Sequence, residues 1–126
     1  MPGPQAEAYS KAQHATFSGR EAEAAVLMKG AALLRHVQSH WSAPDREPAL
    51  ESALRYNQRL WTFFQVALLE ENNPLPQQVK EGVLRLSLFV DRRIFDMLAF
   101  PASEKLDILI AINTNIAAGL KASAAE

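Results

Sequence analysis

The sequence predicts an all-α fold, an antiparallel bundle of four long helices preceded by a short, weakly anchored N-terminal helix. Three observations predict it. Apolar residues recur at helical spacing through four long segments. Turn-forming residues cluster only at Ser18-Gly19, Ser42 to Pro48, Asn72 to Pro76 and Phe100 to Ser103. No segment alternates apolar with polar residues long enough to form a half-buried strand. Linkers of about two to seven residues favour antiparallel neighbours, hence the up-down order.

The first helix, about Gln5 to Thr16, is alanine-rich and offers only Tyr9 and Phe17 as sizeable anchors, so it is expected to be held weakly and to be detachable. The second opens with Ser18-Gly19-Arg20-Glu21, a capping box in which the serine hydroxyl takes the N3 amide and Glu21 reaches back to the cap. Leu27, Gly30, Ala31, Leu34, Val37 and Trp41 then fall on one side, with Lys29, His36 and His40 facing away. The third begins near Pro48, whose missing N–H has no partner in a first turn anyway. Its stripe is Leu50, Leu54, Asn57, Trp61, Phe64 and Leu68.

The fourth helix follows Asn73-Pro74-Leu75-Pro76 and aligns Val79, Val83, Leu86, Val90, Ile94 and Met97. Leu84, Leu88, Phe95 and Leu98 form a second apolar side, which leaves Glu81, Arg85, Arg92 and Asp96 in a narrow polar strip. The fifth, capped by Ser103, turns Leu106, Leu109, Ile110, Asn113, Ile116, Ala117 and Leu120 inward.

The 126 residues fit a single domain, 1–126, with 1–5 and 122–126 expected to be disordered, and a 48% hydrophobic content suffices for a core without staples. The absence of cysteine removes disulfides, thiolate metal sites and cysteine nucleophiles. A net charge of -1 creates no field that would draw the chain to nucleic acid. The longest apolar stretches, Trp61 to Leu69 and Leu106 to Ile112, fall far short of the ~20 residues that span a bilayer. The N-terminus lacks the basic and apolar regions of a secretory signal. A cytoplasmic protein is expected.

No nucleophile with its base, carboxylate pair or phosphate cradle stands out, so no catalytic residue and no cofactor is expected. The five glycines are scattered singly, which excludes a P-loop and a dinucleotide-binding turn. His36 and His40 have the helical spacing that can chelate zinc, but Val37 stands where a zinc protease has glutamate and no third ligand is implied, so they read as structural or solvated and no metal is expected. Arg55 and Arg59 around Tyr56, and Arg92-Arg93 beside Phe89 and Phe95, imitate an RNA surface; the balanced charge favours a salt-bridged, solvated face. Asn57 and Asn113 lie within apolar stripes, where an unpaired amide costs ~1–3 kcal/mol. They either hydrogen-bond within the core and fix its register or recognise a partner's backbone.

The remaining feature is a surplus of apolar helix surface. Tyr56, Arg59 and Phe63 on the third helix, with Leu84, Leu88 and Phe95 on the fourth, are the candidate partner-binding residues. A helix sandwiched in the core, a groove for another protein's amphipathic helix, and a homodimer interface all account for them. The first helix would cover such a groove until a partner displaces it.

Ser18-Gly19-Arg20-Glu21, Tyr56-Asn57-Gln58-Arg59-Leu60-Trp61, Asn73-Pro74-Leu75-Pro76, Arg93-Ile94-Phe95, and the run from Leu106-Asp107-Ile108-Leu109 through Asn113 to Ala118-Gly119-Leu120 together resemble the flagellar biosynthesis regulator FlaF family over roughly residues 6 to 121. The opening Pro-Gly-Pro and the alanine-rich tail depart from it. The resemblance implies a small cytoplasmic protein of alphaproteobacterial type that supports flagellin production and export alongside the regulator FlbT, with no catalytic set. A flagellin-binding secretion chaperone and regulator fits the apolar surplus, since flagellin's terminal segments are amphipathic helices that must stay unassembled. The alternative is post-transcriptional control of flagellin mRNA, directly through Arg55, Arg59, Arg92 and Arg93 or through FlbT.

Overall fold

A computed structural model describes residues 4–125, with side chains described from 19 to 122. Four α-helices follow one another: α1 (Pro4–Ser39), α2 (Arg46–Leu69), α3 (Gln77–Ala99) and α4 (Leu106–Ala125), the last entered through a 3-10 turn at Ser103–Lys105. Among the described residues there is no strand. α1 runs closely along α4 on one side and α2 on the other, and α3 packs against α2, so α3 sits at the edge of an all-α bundle.

The first two expected helices are one. α1 passes through Ser18-Gly19 without interruption for 36 residues. The reason is energetic: a glycine within a helix costs only about 1 kcal/mol relative to alanine, and neither residue removes a hydrogen bond as proline would. A capping box is a start signal only where the preceding residues do not themselves propagate a helix, and here they are alanine-rich. Residues 5–16 therefore continue the axis of α1; the expectation that Tyr9 and Phe17 anchor this segment concerns side chains outside those described. The expectation of disordered ends falls partly on residues 1–3 and 126, also outside the described residues; Pro4, Gln5 and residues 122–125 are helical.

The other boundaries form through local chemistry. Pro48 lies in the first turn of α2. Asn73 closes the end of that helix by donating from Nδ2 to the Ala67 carbonyl (3.0 Å), while its Oδ1 accepts from the Leu75 amide (3.1 Å) and bends the chain into Pro76. Ser103 does not cap with its hydroxyl. It opens the 3-10 turn, and its carbonyl accepts from Gln38 Nε2 at 2.9 Å, which ties the end of α1 to the start of α4. Lys105 binds the other side of that junction, pairing with Asp96 at 2.9 Å and donating to the last carbonyl region of α3 at Phe100 O (2.8 Å).

Leu27, Leu34, Leu54, Trp61, Ile94, Met97 and Leu106 are fully buried at the centre. The two stripe asparagines meet among them. Asn113 Nδ2 donates to Asn57 Oδ1 (2.6 Å) and to Leu27 O (3.3 Å), Asn57 Nδ2 donates to Ala53 O (2.8 Å) and Gly30 O (3.2 Å), and Trp61 Nε1 donates to Asn113 Oδ1 (3.0 Å). Every amide hydrogen and both amide oxygens are used, so three helices are locked in one register by groups that would be costly to leave unpaired.

Candidate protein-docking groove

A groove of about 610 Å³ runs along the outer seam of α1 and α2. Its shape follows from unequal walls. α1 presents Gly19, Ala22, Glu23 and Val26, which lie at i, i+3, i+4 and i+7 and are mostly short; α2 presents Tyr56, Arg59, Leu60, Phe63 and Phe64, which are large. A low wall facing a tall aromatic one leaves a trough whose lining is nearly all apolar. Phe64 forms its floor, packed edge-on against the buried Trp61 (centroids 5.7 Å apart) and against Phe63 (6.2 Å). Behind Phe64 lies a smaller cavity of about 130 Å³, bounded also by Leu68, Val83, Ile116 and Leu120.

Phe63 is 65% exposed, a large apolar side chain standing in water at the groove's rim. Tyr56 is half-buried; its hydroxyl reaches the Val26 carbonyl at 3.4 Å and the Lys29 ammonium sits 5.4 Å from its ring, so the aromatic wall is braced from α1. Towards Pro48 the trough becomes polar, with Lys29, Glu51, Arg55 and Arg59 around Tyr56. Arg55 is engaged there by Glu51 (3.9 Å) and Gln58 (3.1 Å).

Two charged groups look into the apolar part: Arg59 from α2 and Glu23 from α1. Burial pushes the Glu23 carboxyl above its ordinary value, and the nearby Arg20 charge opposes this only in part. The groove therefore offers one guanidinium and one poorly solvated carboxylate on opposite walls, with an aromatic surface between them.

Of the six residues expected to bind a partner, the structure brings Tyr56, Arg59 and Phe63 together in this groove. Leu84, Leu88 and Phe95 lie elsewhere. They belong to the outward flank of α3, where Leu88 (55%) and Phe95 (61%) are exposed and Leu84 is half-buried. α3 buries only its first side, through Val90, Ile94 and Met97, and is not sandwiched. The α1 wall, Gly19, Ala22, Glu23 and Val26, escaped the sequence reading. Its signal was a run of short residues at helical spacing beside the core stripe, visible only once the wheel is read for what is small as well as for what is apolar.

The remaining polar clusters have local roles. His36 and His40 stack at 4.3 Å, with His40 Nδ1 donating to the His36 carbonyl at 2.8 Å, and among the described residues no three His, Cys, Asp or Glu side chains converge as a metal site. Arg93 lies 5.3 Å from the Phe89 ring. No helix among the described residues is long and apolar enough to cross a membrane.

Comparison with curated proteins and with solved structures finds no match. The family description "Flagellar protein FlaF" matches residues 5–120, which include both walls of the groove, the asparagine network and most of each of the four helices. The chain therefore belongs to the FlaF family of flagellar proteins.

Proposed function

We propose that this flagellar protein is a non-enzymatic, cytoplasmic flagellin-binding chaperone and regulator, and that the α1–α2 groove shields an amphipathic helical segment of flagellin before export. The observation that carries the reading is the unequal-walled groove itself: an open apolar trough, rimmed by charge, on a protein of a flagellar family. An amphipathic helix presents anchors at i, i+3, i+4 and i+7, and a trough with short residues on one side and aromatics on the other accepts such a ridge. Phe63 and Tyr56 supply the apolar contact, and Arg59 and Glu23 set the orientation of the guest's polar flanks.

Calorimetry with intact flagellin, and with flagellin lacking either terminal segment, tests this. Binding to the intact protein should show a negative heat-capacity change and survive added salt, and one truncation should abolish it. Absence of heat with intact flagellin refutes the proposal. A steep loss of flagellin mRNA binding with salt, in a protein that does not bind flagellin, would instead support the regulatory reading through the arginines. Because Phe63 is exposed, Phe63→Asp should leave the fold intact and weaken flagellin binding by roughly tenfold or more.

A further inference from the structure

Three charged side chains face the α1–α2 groove without an ion pair among the described residues: Glu23, Lys29 and Arg59. Their places along it follow from how the two helices pass each other. Asn57 Nδ2 donates to the Gly30 carbonyl at 3.2 Å, and Phe64 borders the same two apolar cavities as Glu23, so residue numbers fall on α2 as they rise on α1. Arg59 therefore stands level with Lys29, and both lie beside Tyr56, whose ring centroid is 5.4 Å from the Lys29 ammonium. Glu23 stands six residues back along α1, roughly 9 Å away at the helical rise per residue. Arg55, a further cation at the Lys29 end, is already engaged by Glu51 at 3.9 Å. Arg20 acts on Glu23 from its own helix, but burial outweighs it. The trough thus carries two uncompensated positive charges at one level and one negative charge nearly two helical turns away, with Leu60 and Phe63 between them.

We infer, resting on the docking reading above, that the groove selects its guest by charge pattern: an amphipathic helix with an acidic side chain set between Lys29 and Arg59 and a basic side chain about two turns away on Glu23, both flanking one apolar ridge. The spacing matches a helix. Residues i and i+7 of a guest lie on one face about 10.5 Å apart along its axis, and flexible side chains take up the difference from the groove's own spacing. An apolar trough alone gives affinity without choosing among amphipathic helices; the three charges make the choice. A guest that covers Glu23 removes the rest of its hydration, and a basic side chain there replaces the lost water with a charge-assisted partner. A guest with acidic residues at both positions meets Glu23 with a like charge, and one with basic residues at both meets Lys29 and Arg59 with a like charge, so the pattern rejects as well as attracts. The order of the two charges also sets direction: acid before base runs the guest antiparallel to α1, and base before acid runs it parallel.

Three synthetic amphipathic helices with one leucine ridge, differing only in a pair of flank residues seven apart, serve as probes: Glu with Lys, Glu with Glu, and Lys with Lys. In calorimetry at low ionic strength the Glu–Lys helix should bind the unmodified protein roughly tenfold or more tighter than either of the others. In the double variant Lys29→Glu, Arg59→Glu the Lys–Lys helix should become the preferred one; both native side chains are exposed, and a redirected preference does not arise from a damaged fold. Equal binding of the three helices, binding of none, or an unchanged preference in the double variant would overturn the inference. Flagellin itself separates this from the docking reading. It should displace the Glu–Lys helix, and Phe63→Asp should weaken both. If Phe63→Asp loses flagellin while Lys29→Glu, Arg59→Glu binds it as the parent does, the charge pattern is wrong and the docking reading stands. If the Glu–Lys helix binds selectively and flagellin does not displace it, the pattern stands and flagellin is the wrong guest.

Discussion

At Gly30 there is no room for a methyl group. A Cβ there would stand 2.6 Å from Asn57 Oδ1, 2.8 Å from Asn113 Nδ2 and 3.0 Å from Leu60 Cδ2, so α1 approaches the asparagine network only because this residue has no side chain. Gly30→Ala should destabilise the fold by about 1–3 kcal/mol in chemical denaturation, through displacement of paired amides that cannot move without losing their partners. Asn113→Ala should cost about 2–3 kcal/mol, since it strands Trp61 Nε1 and Asn57 Oδ1. Combining it with Asn57→Ala should cost less than the sum of the two, because each removes the same bond. Glu23 has the opposite character, a carboxylate the fold tolerates poorly. Its folded pKa lies above the ordinary 4.5, so the folded state holds the proton more tightly than the unfolded chain does. The charged form is the penalised one; the penalty is full above the raised value and vanishes as pH falls below about 4.5. Glu23→Gln should therefore be more stable than the parent at neutral pH, with the difference lost in acid. A guest whose cationic flank pairs with Glu23 favours the carboxylate and lowers its pKa, so flagellin affinity should weaken as acid protonates Glu23, and Glu23→Gln should flatten that dependence in calorimetry.

At the scale of the helix, the other described glycines behave in the reverse sense to Gly30. A Cβ at Gly19, Gly82 or Gly119 meets nothing within 4 Å, and none of the three has a positive φ. Gly19→Ala, Gly82→Ala and Gly119→Ala should each stabilise by about 0.5–1 kcal/mol, measured by thermal or chemical denaturation, since alanine removes backbone freedom from the unfolded chain without a steric cost in the helix. Gly19→Pro should instead break α1 where the sequence places a boundary. That boundary shows what the sequence conceals. Helical periodicity located all four core stripes, and the burial of Leu54, Trp61, Ile94, Leu106 and Leu109 follows it. The Ser18-Gly19 start signal misled because capping is a local preference of about 1 kcal/mol, and a continuing helix on its N-terminal side outweighs it. The asparagines were legible as an anomaly that demands partners, but which partner each takes depends on how α1, α2 and α4 cross, a property no single stripe contains. Half of the candidate site was legible for the same reason: wheel arithmetic identifies Tyr56, Phe63, Leu88 and Phe95 as apolar surplus and cannot say that α2 and α3 turn them towards different seams.

For the whole molecule, the consequence is that two apolar surfaces lie on opposite flanks of α2, one shared with α1 and one with α3. The core between them is closed by the first and last helices, because α4 is the main neighbour of α1 and supplies Asn113 to the network. The groove's floor, Leu60 and Phe64, belongs to the core, but Phe63, Leu88 and Phe95 are all more than half exposed, so a charge at any of these three displaces water rather than core contacts. Phe63→Asp and Leu88→Asp should thus retain the parent's helical content and denaturation midpoint. Their effects should separate, with flagellin affinity falling only in Phe63→Asp. The double variant should bind flagellin as Phe63→Asp does, within about 0.5 kcal/mol, as expected of sites with no shared partners. A coupling larger than that, with Leu88→Asp also weakening flagellin binding by tenfold, would mean that the guest meets the chain over one continuous surface reaching α3, and that the α2 crest carrying Val66 and Leu69 belongs to the groove.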